Sequence, residues 1–374
     1  MAKPILLATP HMSDEGYELE YIHDAFRKNW VAPLGENVNE FENAMGAYLG
    51  EGHPVALSAG TAALHLAMIL ACVGRGDLVF CQDLTFSASA NPVVYQGAEP
   101  VFIDSERDSW NMDPAALERA FALYGKPKAV VAVHLYGSPA DMDSIRAICQ
   151  AHQVPLIEDA AEALGSEYRG RKCGTLGDFG VLSFNGNKII TTSGGGMLIC
   201  KESSDAKQAL KLATQAREPY PWYEHQQIGY NYRLSNVCAG IGRGQMKVLE
   251  QRIGQKRAIF DRYAENLNDL PLQFQPESDG CVANRWLSVA LVEEGCGVSA
   301  AQVLESLKAD DLEGRHVWKP MHMQPVFADA KYVTAGGESV SEDLFHRGIC
   351  LPSDTKMSAE DIDRICDAVR RAFA

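Results

Sequence analysis

The sequence predicts an α/β protein in which helices sandwich a mostly parallel sheet, with a smaller C-terminal α+β domain. Between residues 50 and 200, short apolar segments alternate with helical ones. These apolar segments lack the regular polar positions of a half-exposed strand, which is typical of parallel strands buried on both faces. After residue 200 the alternation stops, and the chain becomes aromatic, polar and irregular.

The alternation begins with the strand "HPVALSAG", which ends in a glycine turn, and the helix "TAALHLAMILACV". The strand "DLVFCQD", the short helix "SASANPVVYQG" and the strand "EPVFID" follow. The next helix opens at Asp113 and Pro114, because aspartate is a favoured cap and proline suits the first helical position.

The second half of the alternation is more apolar. The strand "KAVVAVHLYG" precedes the helix "DMDSIRAICQAHQ" and the strand "VPLIEDAAEALG", which carries acidic residues at its C-terminal end. Ligands of parallel sheets bind beyond the carboxyl ends of the strands. The loops that follow these strands are therefore the candidate binding site.

Beyond residue 200, the aromatic segment 220–236 leads into an amphipathic pattern that predicts one long helix over about 237–268. The segments "NRWLSVALVE", "SAAQVLESLKADD", "LFHRGICLPS" and "AEDIDRICDAVRRAFA" then suggest a small α+β domain. We predict a large domain over 1–235, including an N-terminal segment, and a second unit over 236–374, formed by the connecting helix and the small domain.

Composition limits the partners. The 374 residues carry a formal net charge of −15, which argues against nucleic acid or an anionic membrane surface as the main partner. None of the ten cysteines forms a CxxC pair, so we expect buried reduced thiols and no metal site. The N-terminus lacks a signal-peptide pattern and no apolar run reaches transmembrane length, which predicts a cytoplasmic protein.

Two strand-end loops offer ligand groups. Gly60 and Thr61 lie between a strand and a helix N-terminus, where free amides and the helix dipole favour an anion. An ordinary turn with Thr61 as the helix cap is the alternative. Phe86 follows the next strand and could stack on a flat ring, or could be a core residue.

Two further loops carry charge. Glu158, Asp159 and Glu162 follow a strand, where one carboxylate could hold a metal, orient a base or pair with a ring N–H⁺. Lys188 stands alone in "SFNGNKIITTSGGGML", between Ser183 and the glycines at 194–196. It could be a surface lysine, or a desolvated amine that reacts with an aldehyde.

These features fit one molecule together. A phosphate would use Gly60, Thr61 and Ser183, a flat ring would stack on Phe86, and Lys188 would take an aldehyde. Asp159 would keep a pyridine nitrogen protonated. The combination predicts pyridoxal 5′-phosphate, whose protonated ring acts as an electron sink.

The order of "SAGTAAL", "TFSASANPVVYQGAEPVFID", "VHLYGSPADMD", "EDAAEALGS", "GTLGDFGVLSFNGNK", "TSGGGML" and "GYNYRLSN" resembles the DegT-type nucleotide-sugar aminotransferases. The resemblance covers most of the chain and continues in "WKPMHMQPVF". It implies a fold-type I pyridoxal-phosphate enzyme. The stretch "SFNGNKIITTSGGGM" resembles the branch that aminates C4 of UDP-4-keto-6-deoxy-N-acetylglucosamine in the bacillosamine pathway.

The resemblance also implies residue roles. Lys188 matches the lysine that binds the cofactor aldehyde, and Asp159 matches the partner of its ring nitrogen. The other cofactor contacts implied are Gly60, Thr61, Ala62, Phe86, Glu162 and Ser183, with Glu162 in a slot often held by His or Gln. Asn231 matches a residue that reaches the neighbouring subunit's phosphate, which implies a homodimer with shared active sites. The implied substrate contacts are Arg315, Trp318, Lys319 and His322.

The predicted reaction moves an amino group from an amino acid, by family habit L-glutamate, to a nucleotide-linked keto-sugar. Three alternatives stand beside it. A sugar dehydratase of this fold carries His in place of Lys188, which argues against that activity. A nucleotide-binding regulatory protein would leave the lysine, aspartate and phosphate groups unexplained. A 3-aminotransferase acting on another keto-sugar nucleotide is not separated from a 4-aminotransferase by these motifs.

Overall fold

The computed structural model describes residues 3–374. Its α-helices are α1 (Tyr17–Arg27), α2 (Glu36–Leu49), α3 (Gly60–Leu70), α4 (Asn91–Tyr95), α5 (Pro114–Tyr124), α6 (Met142–His152), α7 (Ser203–Ala213), α8 (Asn236–Met246), α9 (Leu249–Asn266), α10 (Ala300–Ala309), α11 (Val340–Arg347) and α12 (Ala359–Ala372). Its first nine strands are β1 (His53–Leu57), β2 (Leu78–Gln82), β3 (Glu99–Ile103), β4 (Ala129–Val133), β5 (Leu156–Asp159), β6 (Glu167–Tyr168), β7 (Arg171–Lys172), β8 (Phe179–Ser183) and β9 (Gly196–Cys200). The remaining strands are β10 (Leu272–Phe274), β11 (Cys281–Val282), β12 (Ser288–Val292), β13 (Arg315–His316), β14 (Lys331–Val333) and β15 (Gly348–Leu351).

The central sheet has eight strands in the order β1-β9-β8-β5-β4-β2-β3-β14. Only β9 runs against its neighbours, β1 and β8, while the other pairs are parallel. The predicted α/β class with a mostly parallel sheet is confirmed.

Both faces of this sheet are buried, as the uninterrupted apolar strands predicted. On β2, Phe80 packs into one hydrophobic cluster, and Val79 and Cys81 pack into another on the opposite face. Neighbouring strand residues point to opposite faces, so a strand between two helical layers is apolar at most of its positions. The sheet therefore forms a rigid middle layer whose carboxyl edge can hold a site.

A smaller antiparallel sheet, β10-β12-β15-β13, lies in the C-terminal part of the chain. Together with α9, α10 and α12 it encloses a third hydrophobic cluster, which includes Tyr263, Val303 and Ile365. These elements agree with the α+β character expected there.

The single long helix predicted over 237–268 is wrong. The structure has two helices, α8 and α9, separated by Lys247 and Val248. The amides of these two residues donate to carbonyls three positions back, which tightens the turn and redirects the chain. Before this turn, α8 packs closely on α1. A Cβ at Gly244 would lie 2.5 Å from the amide nitrogen of Glu18, so only glycine fits there.

One strand of the predicted second unit, 236–374, lies in the large sheet rather than in the small one. Strand β14 pairs in parallel with β3 and completes the edge of the large sheet. A three-residue strand carries too little pattern to be read from sequence, because its partner is set by the tertiary fold. The unit over 236–374 is therefore joined to the large sheet as well as to the small one.

Among residues 3–374, no helix combines the length and the apolar character that crossing a membrane requires.

Candidate active site

A cavity of about 310 Å³ opens at the carboxyl edge of the large sheet. Its wall is formed by the turns after β1, β2, β5 and β8, together with two tryptophans from the C-terminal part, Trp286 and Trp318. Parallel strands place their C-terminal loops on one edge, which is why residues distant in sequence meet here.

The turn after β1 forms one end of the cavity. Gly60 and Thr61 line it and begin α3, whose preceding residue, Ala59, has no side chain that could cap the helix. The first amides of a helix have no acceptor within the helix, and they lie at the positive end of its dipole. The hydroxyl of Ser183 is 3.5 Å from where a Gly60 Cβ would lie. This end of the cavity therefore suits an anion such as a phosphate.

Glycine at the start of β9 keeps this turn in place. A Cβ on Gly196 would lie 2.3 Å from the amide nitrogen of Gly60. The two backbones therefore touch, and the run of glycines lets β9 pass directly behind the anion site.

Asp159 ends β5 and points into the cavity. One carboxylate oxygen accepts a hydrogen bond from the Ser89 hydroxyl (2.7 Å), and the other accepts one from the Ala161 amide (3.1 Å). Burial raises the pKa of Asp159, while the Ser89 hydrogen bond acts in the opposite direction. A cation placed beside this carboxylate would be strongly favoured, because its charge is buried without a full counter-charge.

The preceding residue, Glu158, has a structural role on the other side of the strand. Its oxygens accept hydrogen bonds from the His134 ring (2.7 Å) and from the amides of Leu176 and Gly177 (2.7 and 3.0 Å). Cys173 offers a third ligand atom nearby, and the three candidate ligands lie within 4.8 Å of one another. The hydrogen bonds already account for the buried carboxylate, so we assign no metal there.

Lys188 lies in the turn between β8 and β9, and its side chain is only 14% exposed. The ammonium lies 3.6 Å from a carboxylate oxygen of Glu162 and 4.0 Å from the centre of the Trp286 ring. Lys188 is therefore not a surface lysine. Its amine is enclosed in the cavity, with Asp159 and the anion site in the same wall.

Glu162 is buried beside Lys188. Its other oxygen accepts a hydrogen bond from the Tyr136 amide (2.7 Å). Burial raises the pKa of Glu162, and the charge of Lys188 opposes that rise. Glu162 therefore places a buried carboxyl group directly beside the amine.

An aromatic wall, formed by Trp286, Tyr136, Trp318 and Phe86, borders the cavity. The Tyr136 ring stacks between the two tryptophans, at centroid distances of 6.3 and 5.9 Å. Phe86 lies 5.6 Å from Trp318 and is 54% exposed, so it is not a core residue. This wall gives a flat ring an apolar surface to lie against.

The other predicted contacts are more scattered. Ala62 is in the first turn of α3, while Asn231 is exposed outside the cavity and bonded to Gln215. Arg315 is exposed on β13 and pairs with Glu313, and neither Lys319 nor His322 lines the cavity.

Sequence reasoning missed Ser89 and Trp286. Ser89 lies one short helical turn after Phe86, and a search for polar partners around the aromatic could have found it. Trp286 precedes an apolar strand of the small sheet, and its sequence carries no signal that it reaches Lys188. Its indole N–H donates to the Asn187 carbonyl (2.7 Å), which fixes the ring under the turn that carries Lys188.

The described residues fit pyridoxal 5′-phosphate. The cavity combines an anion site at an uncapped helix, a buried carboxylate that favours a cation, an enclosed amine and an aromatic wall. A cofactor with a phosphate, a protonated ring nitrogen and an aldehyde would satisfy all four.

Known proteins that resemble this chain include pyridoxal phosphate-dependent aminotransferases, in agreement with the cofactor that the cavity fits. A sequence model of the "DegT/DnrJ/EryC1/StrS aminotransferase family" matches residues 13–370. The chain is 48% identical to EpsN of Bacillus subtilis (strain 168), a proposed pyridoxal phosphate-dependent aminotransferase, over 100% of this chain and 97% of that protein. It is 35% identical to GDP-perosamine synthase of Escherichia coli O157:H7, over 96% of each.

A solved structure shares the whole architecture. The crystal structure of DesI in the presence of its TDP-sugar product superposes with a TM-score of 0.89 at 28% identity. The superposition covers 100% of this chain and 94% of that one.

Proposed function

Because the chain belongs to the DegT/DnrJ/EryC1/StrS aminotransferase family, whose members depend on pyridoxal phosphate, we propose that it transfers an amino group to a nucleotide-linked keto-sugar. The observation that carries this proposal is the meeting of Lys188, Asp159 and the α3 N-terminus in one cavity. These three groups match the aldehyde, the protonated ring nitrogen and the phosphate of a single cofactor.

The bound cofactor supplies an electron sink for negative charge that develops at the substrate carbon. The residues divide the remaining tasks. The α3 amides and Ser183 would bind the phosphate, and Asp159 would hold the proton on the ring nitrogen. Lys188 would hold the aldehyde group and, as a free amine, could accept and return a proton at the substrate carbon. Glu162, 3.6 Å away, would orient the amine within the cavity.

We further propose L-glutamate as the amino donor and UDP-4-keto-6-deoxy-N-acetylglucosamine as the acceptor, which would give the 4-amino sugar. The resemblance of residues 183–197 to the enzymes that aminate C4 supports this choice. The names of two relatives support a nucleotide sugar in general, since one makes GDP-perosamine and another was crystallised with a TDP-sugar product.

A panel of acceptors tests the substrate. The cofactor-loaded protein would be incubated with L-glutamate and with UDP-, GDP- or TDP-linked sugars that carry a keto group at C4 or C3. We expect 2-oxoglutarate release to be fastest with the UDP-linked 4-keto-6-deoxy sugar, and mass spectrometry to show one amino group on the product. Faster turnover of a 3-keto sugar would replace the proposed substrate with the alternative, and turnover of none would argue against the function.

We also propose that the active unit is a homodimer in which Asn231 serves the partner's phosphate site. Asn231 is exposed and lies outside its own chain's cavity. Its side chain is therefore accessible to a neighbouring subunit. The preceding segment exposes large apolar side chains, with Tyr223 79% and Ile228 82% exposed, which is typical of a surface that another chain covers.

Mixing two inactive variants tests this arrangement. Lys188→Ala and Asn231→Asp chains would be allowed to exchange subunits, and transamination would be measured. One site of each mixed dimer would have both its lysine and its asparagine, so we expect about half of the wild-type activity per mixed dimer. No recovery, once mass spectrometry shows that mixed dimers exist, would mean that each chain builds its phosphate site alone.

A further inference from the structure

His322 does not line the cavity, yet its ring is fully engaged. Its Nδ1 lies 2.7 Å from a carboxylate oxygen of Asp83, and its Nε2 lies 3.2 Å from Glu342. The ring also stacks on Tyr332 at a centroid distance of 3.9 Å. A neutral imidazole has only one N–H, so only the doubly protonated ring can donate to both carboxylates.

Asp83 joins two segments of the cavity wall. It follows β2 directly and is completely buried. Its carbonyl accepts a hydrogen bond from the Met321 amide (2.9 Å), and its carboxylate accepts one from the His322 amide (2.9 Å) and one from the Ser341 hydroxyl (2.6 Å). We call this arrangement of Asp83 and His322 the Asp83 clamp.

The clamp holds together the two aromatic residues at the mouth of the cavity. Trp318 lies four residues before His322, and Phe86 lies three residues after Asp83. Their rings meet at 5.6 Å and both line the cavity. The hydrogen bonds of Asp83 therefore connect the two segments that carry these rings, and the Trp318 amide is held in addition by the Tyr136 hydroxyl (2.8 Å).

We propose that His322 is a positioning residue that, through Asp83, holds Trp318 against Phe86 and so shapes the part of the cavity that receives the sugar nucleotide. This role rests on the proposed function. It replaces direct substrate contact as the role of His322, because both ring nitrogens already have partners.

The clamp should weaken as the pH rises through the pKa of His322. Burial alone would lower the pKa of His322, but the hydrogen bonds and charges of Asp83 and Glu342 outweigh burial and raise it. The groups that face the ring are Asp83 after β2, Glu342 on α11 and Tyr332 on β14, with Asp104 after β3 bonded to the same turn of α11. Since the pKa is raised on folding, the stabilisation is complete below about pH 6.5 and is lost as the pH rises through the folded value.

The protonation state can be measured without cofactor or substrate. The His322 imidazole would be assigned by comparing NMR spectra of the wild type and His322→Asn, and then titrated. We expect its midpoint above the ordinary value of about 6.5, and a lower midpoint in Asp83→Asn, where the partner charge is gone. A midpoint at or below 6.5, unchanged in Asp83→Asn, would overturn the clamp.

Hydrogen exchange tests whether the clamp orders the wall. Amides of residues 317–323 should exchange faster in His322→Asn than in wild type, and faster in wild type when the pH passes the His322 midpoint, after correction for intrinsic exchange. His316→Asn is the matched control, because His316 is exposed on β13 and contacts Phe345 rather than Asp83. Equal protection in all three proteins would contradict the role. If His322→Asn folds poorly, the pH dependence of hydrogen exchange in the wild type still tests whether the clamp orders residues 317–323.

Kinetics separate positioning from chemistry. In His322→Asn we expect the KM for the sugar nucleotide to rise about ten-fold, the size expected for loss of one charge-assisted hydrogen bond, with kcat nearly unchanged. A fall in kcat at constant KM would place His322 in the chemistry instead. If the protein turns over no acceptor, only the proposed function is contradicted. The NMR and hydrogen-exchange results would still test the clamp, because they need no substrate.

Discussion

Replacing Lys188 with alanine should abolish transamination. The enclosed amine is the only lysine that lines the cavity within residues 3–374, and no neighbouring group can bind an aldehyde in its place. The groups proposed to bind the phosphate and the ring do not include Lys188, so we expect the variant still to bind the cofactor without a covalent link. Activity would be followed by 2-oxoglutarate release, and the covalent link by borohydride reduction and mass spectrometry of the peptide containing residue 188.

Lys188→Arg is the matched control. It keeps a positive charge near Glu162 and Trp286, but a guanidinium stays protonated and cannot act as the nucleophile. We expect it to be as inactive as the alanine variant, which would show that the amine and not merely its charge is needed. Turnover by Lys188→Ala at a rate close to that of wild type would remove Lys188 from this role.

Changing Asp159 to asparagine should cost about 100-fold or more in kcat, because it removes a preorganised charge in a buried site. Asparagine keeps the shape but cannot hold a proton on the ring nitrogen of the cofactor. Burial raises the pKa of Asp159, so a cationic partner would favour the ionised carboxylate. Single-turnover kinetics and the absorbance spectrum of the bound cofactor would measure the loss.

Ser89→Ala provides the comparison for Asp159. It removes the 2.7 Å hydrogen bond to the carboxylate while leaving the charge in place. We expect a much smaller loss of rate than in Asp159→Asn, together with unchanged covalent binding at Lys188. Equal losses in both variants would mean that the hydrogen-bond network, and not the charge at residue 159, carries the effect.

The sequence predicted the parts of the structure that depend on local pattern. Uninterrupted apolar strands such as β4 predicted the buried parallel sheet, and the glycine turn before α3 predicted an anion site, which stays a prediction. Lys188 and Asp159 were proposed because their chemical types are unusual next to strand ends, and the structure places both in the wall of one cavity. The sequence could not exclude Glu158, a neighbouring carboxylate whose hydrogen bonds on the other side of β5 are visible only in the structure.

The features that the sequence did not predict depend on contacts between distant segments. Trp286 reaches Lys188 only because the small sheet packs beside the cavity. The sequence around residue 286 contains no pattern that predicts this contact. The break between α8 and α9 has no proline or cap to mark it. His322 was assigned to substrate by resemblance, whereas its carboxylate partners, Asp83 and Glu342, are visible only in three dimensions.

The pairing of β14 with β3 bears on how the chain is made. During synthesis, β3 emerges well before residues 331–333, so its outer edge has no hydrogen-bonding partner until β14 has also emerged. An open strand edge invites pairing with other chains. We therefore expect a chain cut before residue 331 to aggregate more readily than a chain that includes β14.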